Sequence, residues 1–214
     1  MLIDKHQLDL LGIVESDLHG PTSRVYRAHP MSTTQVYQNL QIEGYKVLLP
    51  QSWYEHGQAR VVLFYKEGLQ IKERKLRQED SDLPSISIEL GLNKEKKTCF
   101  NIFYREFTGG ISGLKDKSSQ IDRLSRQIAH WKTLFIGGKD VVILGDSNLC
   151  AKLWTSDSFQ HKDLANMVQD FLLEEASQQL VTEATRSEQI VGEVHSSIID
   201  HCYTDVKKKS LVPL

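Results

Sequence analysis

The chain has 214 residues, of which 40% are hydrophobic and 25% charged, so it is long enough for one large domain with its own core. Its net charge of −2 excludes a strongly basic overall field, although one local basic face would still suit a nucleic acid. No apolar run approaches the ~20 residues that cross a bilayer, and the N-terminus does not have the pattern of a signal peptide. Three widely spaced cysteines without a Cys-x-x-Cys pair complete the prediction of an intracellular protein with no membrane partner.

The first half of the chain is predicted to form mainly strands, because short apolar runs alternate with polar, glycine-containing or proline-containing stretches. The expected strands are Leu8–Glu15, Tyr45–Pro50, Arg60–Tyr65, Leu69–Lys72, Ile86–Leu90 and Cys99–Tyr104. The alternation within Ile86–Leu90 predicts a half-buried strand that forms a hairpin with the next one. We expect an irregular surface segment over residues 19–40 and a loop over Gln51–Gln58, where Trp53 and Tyr54 either stack on a base or pack internally.

The second half alternates helices with strands. Apolar residues at steps of three and four predict helices at about Lys117–Phe135 and Leu164–Leu173. Between them, the run Val141–Leu144 predicts a strand that is buried on both faces. Val181–Thr182 is expected to be a short extended piece, and Ser197–Tyr203 a last strand. Because strands outnumber helices and neighbouring strands often lack a helix between them, we predict an α/β (α+β) fold of two β-sheets with helices outside.

Polar side chains follow the Val141–Leu144 strand at the end where binding groups of open sheets gather. Gly145 allows a tight turn there, and Asp146 and Asn148 are two positions apart, so we expect both to point into one cleft. A carboxylate beside a carboxamide suits phosphate chemistry, because one orients a nucleophile or holds a metal and the other donates to a phosphoryl oxygen.

Glu15 and Asp200 are two further acids that end or occupy predicted strands. Any one such acid is commonly a solvated or turn-forming residue. Together with Asp146, Asn148 and the Tyr104–Arg105 pair, however, they predict a cleft that could hold a hard divalent cation and a phosphate. A site with so few carboxylates suits Mg²⁺, which also binds water and substrate oxygens, whereas no spacing of His and Cys residues in the sequence suits zinc.

Four segments, taken in this order, resemble the endonuclease/exonuclease/phosphatase superfamily, which includes deoxyribonuclease and the abasic-site repair endonucleases. They are Leu11–Glu15, Asn101–Arg105, Ile143–Asn148 and Ser197–His201, and the resemblance covers nearly the whole chain. Gly145–Cys150 followed by Trp154, and Gln179–Val181 leading to Thr185–Arg186, are most similar to the endonuclease domain that non-LTR retrotransposons carry ahead of their reverse transcriptase.

The resemblance implies a four-layer sandwich, in which two mixed β-sheets lie face to face with helices outside. It also implies metal-assisted hydrolysis of a phosphodiester, with Mg²⁺ as the cofactor and Mn²⁺ as an alternative. Under this resemblance Glu15 would bind the metal, and Tyr104 and Arg105 would contact the scissile phosphate.

The remaining roles also follow from the resemblance. Asp146 would orient or deprotonate the attacking water, Asn148 would hydrogen-bond the phosphate, and Asp200 would orient a catalytic histidine. His201 is not expected to be that histidine, because it follows Asp200 directly on a strand and points to the opposite face.

The implied function is DNA nicking through contacts to the phosphate backbone, in the nucleus, with a reverse transcriptase domain of the full-length element as partner. We expect residues 1–214 to form a single domain that lacks the family's first, asparagine-bearing strand and its terminal Ser-Asp-His strand. Related enzymes also hydrolyse RNA tails, sphingolipids and inositol phosphates, so the DNA substrate rests on the retroelement resemblance. The alternative is an inactive remnant of the same fold that binds nucleic acid or retains no activity.

Overall fold

The computed structural model describes residues 8–20, 32–91, 97–106, 117–151, 161–190 and 193–205. They form two compact units. The first comprises the described residues of Met1–Gly91 with Asn101–Tyr104, and the second those of Leu92–Phe100 with Arg105–Leu214. Trp154 lies outside the described residues. Within the described ranges, no helix combines the length and the apolar character that a bilayer crossing needs.

The first unit contains an antiparallel sheet of three strands in the order β1-β3-β2, with two helices. The elements are β1 (Leu10–His19), α1 (Thr33–Asn39), β2 (Tyr45–Leu48), α2 (Gln51–His56) and β3 (Gln58–Lys66). Val36 of α1 and Trp53 of α2 are buried in one apolar cluster with Val62 and Phe64 of β3. The helices therefore cover one face of this sheet, and the core of the unit lies between them.

Two predictions for this region are wrong because the helices are too short to show periodicity. The predicted loop at Gln51–Gln58 contains α2, which begins after Pro50 and ends at Gly57 in a left-handed conformation with φ 68°. The predicted irregular segment contains α1, whose start is a capping box between Ser32 and Gln35. The strand predicted to stop at Glu15 continues to the end of β1.

A second set of strands in the same unit lies in the order β4-β5-β6. They are β4 (Ile71–Glu73), β5 (Ser85–Gly91) and β6 (Lys97–Tyr104), with a 3₁₀ helix at Gln78–Asp80. Of β6, the residues Asn101–Tyr104 belong to this unit. The first pair is antiparallel. Gly12 of β1 faces Ile102 so closely that a Cβ there would lie 2.7 Å from Cδ1 of Ile102. The two sets of strands of this unit therefore pack against each other.

The strand β5 is buried on both faces from Ser85 to Leu90, not half-buried as its alternation predicts. Its serines are covered because Nδ2 of the buried Asn101 donates to Ser85 Oγ and to Ser87 Oγ, each at 2.7 Å. An alternating pattern marks a solvated face only where nothing polar packs on it.

The second unit combines two long helices with strands in the order β7-β11-β8 and an antiparallel pair β9-β10. The elements are α3 (Lys117–Leu134), β7 (Asp140–Asp146), α4 (Lys162–Glu174), β8 (Gln178–Gln179), β9 (Arg186–Ile190), β10 (Glu193–Ser197) and β11 (Asp200–Thr204). Its core joins both helices to β11, because Trp131 lies 5.4 Å from Phe171 and 5.7 Å from Tyr203 between ring centroids. The two predicted helices are confirmed.

Three details of this unit correct the predictions. The strand β7 is buried on one face only, since Val141 and Ile143 are inaccessible while Leu144 is 37% exposed. The short extended piece predicted at Val181–Thr182 lies instead at Gln178–Gln179. The last predicted strand is divided at Ile198–Ile199, whose carbonyls accept from the amides of the loop after β7 instead of from a strand.

Candidate active site

The first group of predicted site residues surrounds a bulge in β1. Val14 pairs with Val61 and Leu18 with Ala59, so three residues of β1, Glu15 to Asp17, lie opposite Arg60 alone. Glu15 and Asp17 both have left-handed backbones, with φ 56° and 44°, which residues with a Cβ seldom adopt. Bulges re-aim side chains, and strained backbone of this kind concentrates at functional sites.

Tyr104 contacts Glu15, another predicted site residue, although the two are far apart in sequence. The Tyr104 hydroxyl donates to Glu15 Oε1 at 2.8 Å. Burial, followed by this hydrogen bond to a carboxylate, raises the pKa of Tyr104, so the phenol is neutral at neutral pH. Glu15 itself is exposed, so its carboxylate is accessible to solvent ions.

Three residues without a predicted role complete this group. Arg60 Nη1 donates to Asp17 Oδ1 at 2.7 Å, and the guanidinium carbon lies 4.9 Å from the ring centroid of Tyr104. His19 Nε2 lies 3.0 Å from the same oxygen of Asp17. The hydrogen bond from His19, together with the attraction of Arg60, lowers the pKa of Asp17. We name these five side chains, Glu15, Asp17, His19, Arg60 and Tyr104, the bulge cluster.

The second group lies in the second unit, at the loop that follows β7. Asp146 is 6% exposed, and its Oδ1 accepts the backbone amide of Asn148 at 2.7 Å. This short turn places Asn148 in the left-handed region, with φ 50°, which asparagine tolerates better than most residues. The aspartate is therefore held by a charge-assisted hydrogen bond from its own loop. We call residues Asp146, Ser147 and Asn148 the Asp-Ser-Asn loop.

Arg105 is bonded to the backbone of this loop. Its side chain donates from Nε to the carbonyl of Ser147, from Nη2 to that of Asn148 at 3.0 Å, and from Nη1 to Gln120 at 3.0 Å. Its own amide donates to the Asp146 carbonyl at 2.9 Å, and its carbonyl accepts from Asn148 Nδ2 at 2.7 Å. In this arrangement the groups predicted to contact a phosphate, the Arg105 guanidinium and the Asn148 amide, are bonded to each other's main chains.

The buried side chain of His201 contacts the Asp-Ser-Asn loop. It is 2% exposed, with Nε2 at 3.2 Å from Ser147 Oγ and Nδ1 at 2.5 Å from the Tyr203 hydroxyl. Burial lowers the pKa of this imidazole to about 4, so it is neutral near pH 7. The imidazole is buried on the face of β11 opposite to Asp200, the face that the sequence predicts for it.

Asp200 begins β11 directly opposite Asp146 of β7 in the antiparallel register. Thr185 Oγ1 accepts the amides of Ile199 and Asp200, both at 3.2 Å. The structure thus brings Glu15 and Tyr104 together in the first unit, and Arg105, Asp146, Asn148 and Asp200 in the second. The catalytic roles that the resemblance implies for these residues remain predictions.

Among the residues that the structure describes, no three His, Cys, Asp or Glu side chains gather as a ready ligand set for a metal. Zinc, which takes four nitrogen or sulfur ligands in structural sites and three protein ligands in catalytic ones, does not fit this arrangement. Mg²⁺ does fit, because it binds through one or two carboxylates and fills its shell with water and substrate phosphate. The exposed Glu15 carboxylate is the group that would hold it.

Neither protein-family models nor curated proteins match the sequence. Solved structures do match the fold. The endonuclease domain of TRAS1, a telomere-specific non-LTR retrotransposon, is similar with a TM-score of 0.55 and 14% identity, over 94% of this chain and 75% of that one. An AP endonuclease from Archaeoglobus fulgidus gives 0.58 and 13%, over 95% and 78%.

A third similar structure is an endonuclease/exonuclease/phosphatase family protein from Leptotrichia buccalis, with a TM-score of 0.55 and 9% identity over 95% of this chain and 78% of that one. At such low identities the likeness concerns the fold, and it extends over almost the whole chain in each case. The predicted α/β class, with mixed sheets and outer helices, is confirmed. The chain therefore has the fold that these solved structures share.

Proposed function

We propose that this protein is a Mg²⁺-dependent phosphodiester hydrolase that nicks DNA. The observation that carries the proposal is the 2.8 Å hydrogen bond from Tyr104 to Glu15, which joins two predicted site residues from distant parts of the chain. On a fold whose solved examples include nucleases, this contact supports a hydrolytic site. Fold alone would not, because one fold hosts many functions.

The proposed division of work follows the chemistry of each group. The neutral Tyr104 phenol donates to a phosphoryl oxygen when its bond to Glu15 is exchanged for substrate. Asp146 orients the attacking water and accepts its proton as the water oxygen bonds to phosphorus. The bond from phosphorus to the leaving sugar oxygen breaks, and solvent water protonates that oxygen. Asn148 donates to the phosphate once its amide leaves the Arg105 carbonyl. Mg²⁺, or Mn²⁺ in its place, would supply a counter-charge to the phosphate when held by Glu15.

We also propose that the substrate is DNA and that the protein acts in a retroelement. The TRAS1 domain is described as the endonuclease of a non-LTR retrotransposon, and the Archaeoglobus protein as an AP endonuclease. These likenesses support DNA over the other phosphodiesters. A reverse transcriptase domain in the same element and a nuclear location belong to the same proposal.

The test is nicking of supercoiled plasmid in Mg²⁺ and in EDTA. We expect open-circular product in Mg²⁺ alone, and a rate at least about 100-fold lower for Asp146→Asn and for Glu15→Gln, because each removes one charge that the proposed chemistry needs. The matched control is Asp170→Asn, which makes the same change at an exposed position of α4 and should cut at the wild-type rate.

Nicking that persists in EDTA would contradict the metal dependence. Equal rates for Asp146→Asn and Asp170→Asn would contradict the site. Binding of the plasmid without any cutting would instead support the alternative of an inactive remnant.

A further inference from the structure

Arg60 holds a position that the fold makes unusual. It is the one residue of β3 that faces the three-residue bulge of β1, because the pairing passes from Val14–Val61 directly to Leu18–Ala59. An ordinary strand residue faces a single partner across the ladder. Arg60 therefore stands opposite three residues of β1, where a regular ladder would place one.

The guanidinium of Arg60 connects the two halves of the bulge cluster. On one side it donates to Asp17 Oδ1 at 2.7 Å, and on the other its carbon lies 4.9 Å above the Tyr104 ring. The Tyr104 hydroxyl in turn reaches Glu15 at 2.8 Å. The Arg60 guanidinium thus contacts both Asp17, in the bulge that carries Glu15, and the ring of Tyr104, whose hydroxyl bonds to Glu15.

The environment of Arg60 favours a structural hold over an ordinary surface ion pair. Its side chain is 23% exposed, whereas the Asp17 side chain is 60% exposed, so the arginine is the more sequestered partner. A guanidinium stacked on an aromatic face is more strongly attracted to it when partly desolvated, and its planar fork loses little freedom on bonding. Lysine has neither the plane nor the fork.

We infer that Arg60 is a positioning residue of the proposed hydrolase, which holds the Tyr104 ring and the β1 bulge so that Tyr104 meets Glu15. The inference rests on the proposed function for its effect on rate. It does not make Arg60 a contact of the substrate, because its role is exerted through Tyr104 and Asp17.

The experiment compares Arg60→Met, Arg60→Lys, Tyr104→Phe and the double variant Arg60→Met/Tyr104→Phe in the plasmid assay. We expect Arg60→Met to lower kcat about 10-fold with KM unchanged, and Arg60→Lys to rescue little of that loss. The double variant should be no more than about twofold slower than Tyr104→Phe alone, since residues that act as a unit are not additive. Lys72→Met is the control, which removes the same charge from an exposed site on β4.

A second measurement does not depend on activity. Amide hydrogen exchange at residues 15–17 should become at least about 10-fold faster in Arg60→Met and stay unchanged in Lys72→Met, because the bulge loses its hold. If the wild-type protein does not cut DNA at all, the proposed function fails, while this measurement still decides whether Arg60 holds the bulge.

Three results would overturn the inference. A raised KM with a weaker salt dependence would make Arg60 a direct phosphate contact. Fully additive losses in the double variant would separate it from Tyr104. Unchanged exchange at residues 15–17 would show that the bulge does not need it.

Discussion

The bulge cluster and the Asp-Ser-Asn loop are built in similar ways, but their aspartates are buried to different extents. Each presents polar side chains from residues with left-handed backbones, and each is bonded to one arginine. In the bulge the arginine contacts side chains, and the Asp17 side chain is 60% exposed. In the loop the arginine contacts main-chain carbonyls, and Asp146 is 6% exposed.

This difference suits different tasks. The exposed carboxylate of Glu15, in the bulge cluster, can exchange water and cations, as a Mg²⁺ ligand must. A buried carboxylate in a hydrogen-bonded loop keeps its geometry, which a residue that orients a nucleophile requires. If this contrast is correct, disturbing the loop should cost much stability, and disturbing the bulge little.

The largest effect is expected from Arg105→Met. This change removes the two hydrogen bonds that the arginine donates to carbonyls of the loop and the one that it donates to Gln120. We expect the free energy of unfolding to fall by about 4 kcal/mol, because hydrogen bonds to charged groups contribute about 1.5–3 kcal/mol each and part of the loss is recovered by water. Urea denaturation measures it. Arg126→Met, which breaks an exposed pair with Asp122 on α3, is the control and should cost about 0.5 kcal/mol. A loss below 1 kcal/mol at Arg105 would refute the locked loop.

The next effect is the acid sensitivity that His201 gives to the same loop. Its pKa is about 4 in the folded protein and about 6.5 when unfolded, so the unfolded chain takes up the proton first as the pH falls. The stabilisation is therefore complete above pH 6.5 and is lost progressively down to pH 4, by about 3 kcal/mol in all. Urea unfolding from pH 7 to pH 4 measures it.

His201→Asn should flatten this part of the pH dependence. His56→Asn, at an exposed position on α2, should leave it as in the wild-type protein. Identical pH profiles for His201→Asn and the wild type would mean that His201 does not couple the loop to pH.

The smallest effect is expected from Asp17→Asn in the bulge, and it tests the comparison directly. The exposed bonds to Arg60 and His19 should contribute below about 1 kcal/mol to the free energy of unfolding. The isosteric change Asp146→Asn in the loop should cost about 2 kcal/mol, since it weakens a buried charge-assisted bond. Thermal unfolding of the two variants ranks them, and the reverse order would contradict the contrast.

Long elements with a clear period were predicted well from the sequence. The apolar spacing of α3 and α4 fixed both helices to within a few residues, because packing one face of a long helix leaves a repeated signal. The short helices were not predicted, although the Ser-x-x-Gln pattern of a capping box at Ser32 and Gln35 can be read in the sequence. The resemblance selected Tyr104 and Glu15 as site residues, but it did not predict the hydrogen bond between them, which neither burial nor spacing indicates.

The amino-acid sequence by itself determined the class of fold, the order of most strands and the identity of the polar residues at their ends. Only the tertiary structure decided that three residues of β1 face Arg60, that Arg105 binds the loop carbonyls, and that His201 lies beneath the loop. The physical reason is that a periodic pattern records which face of an element is buried. The register of paired strands and the partners of a guanidinium depend on contacts between segments that local sequence does not encode.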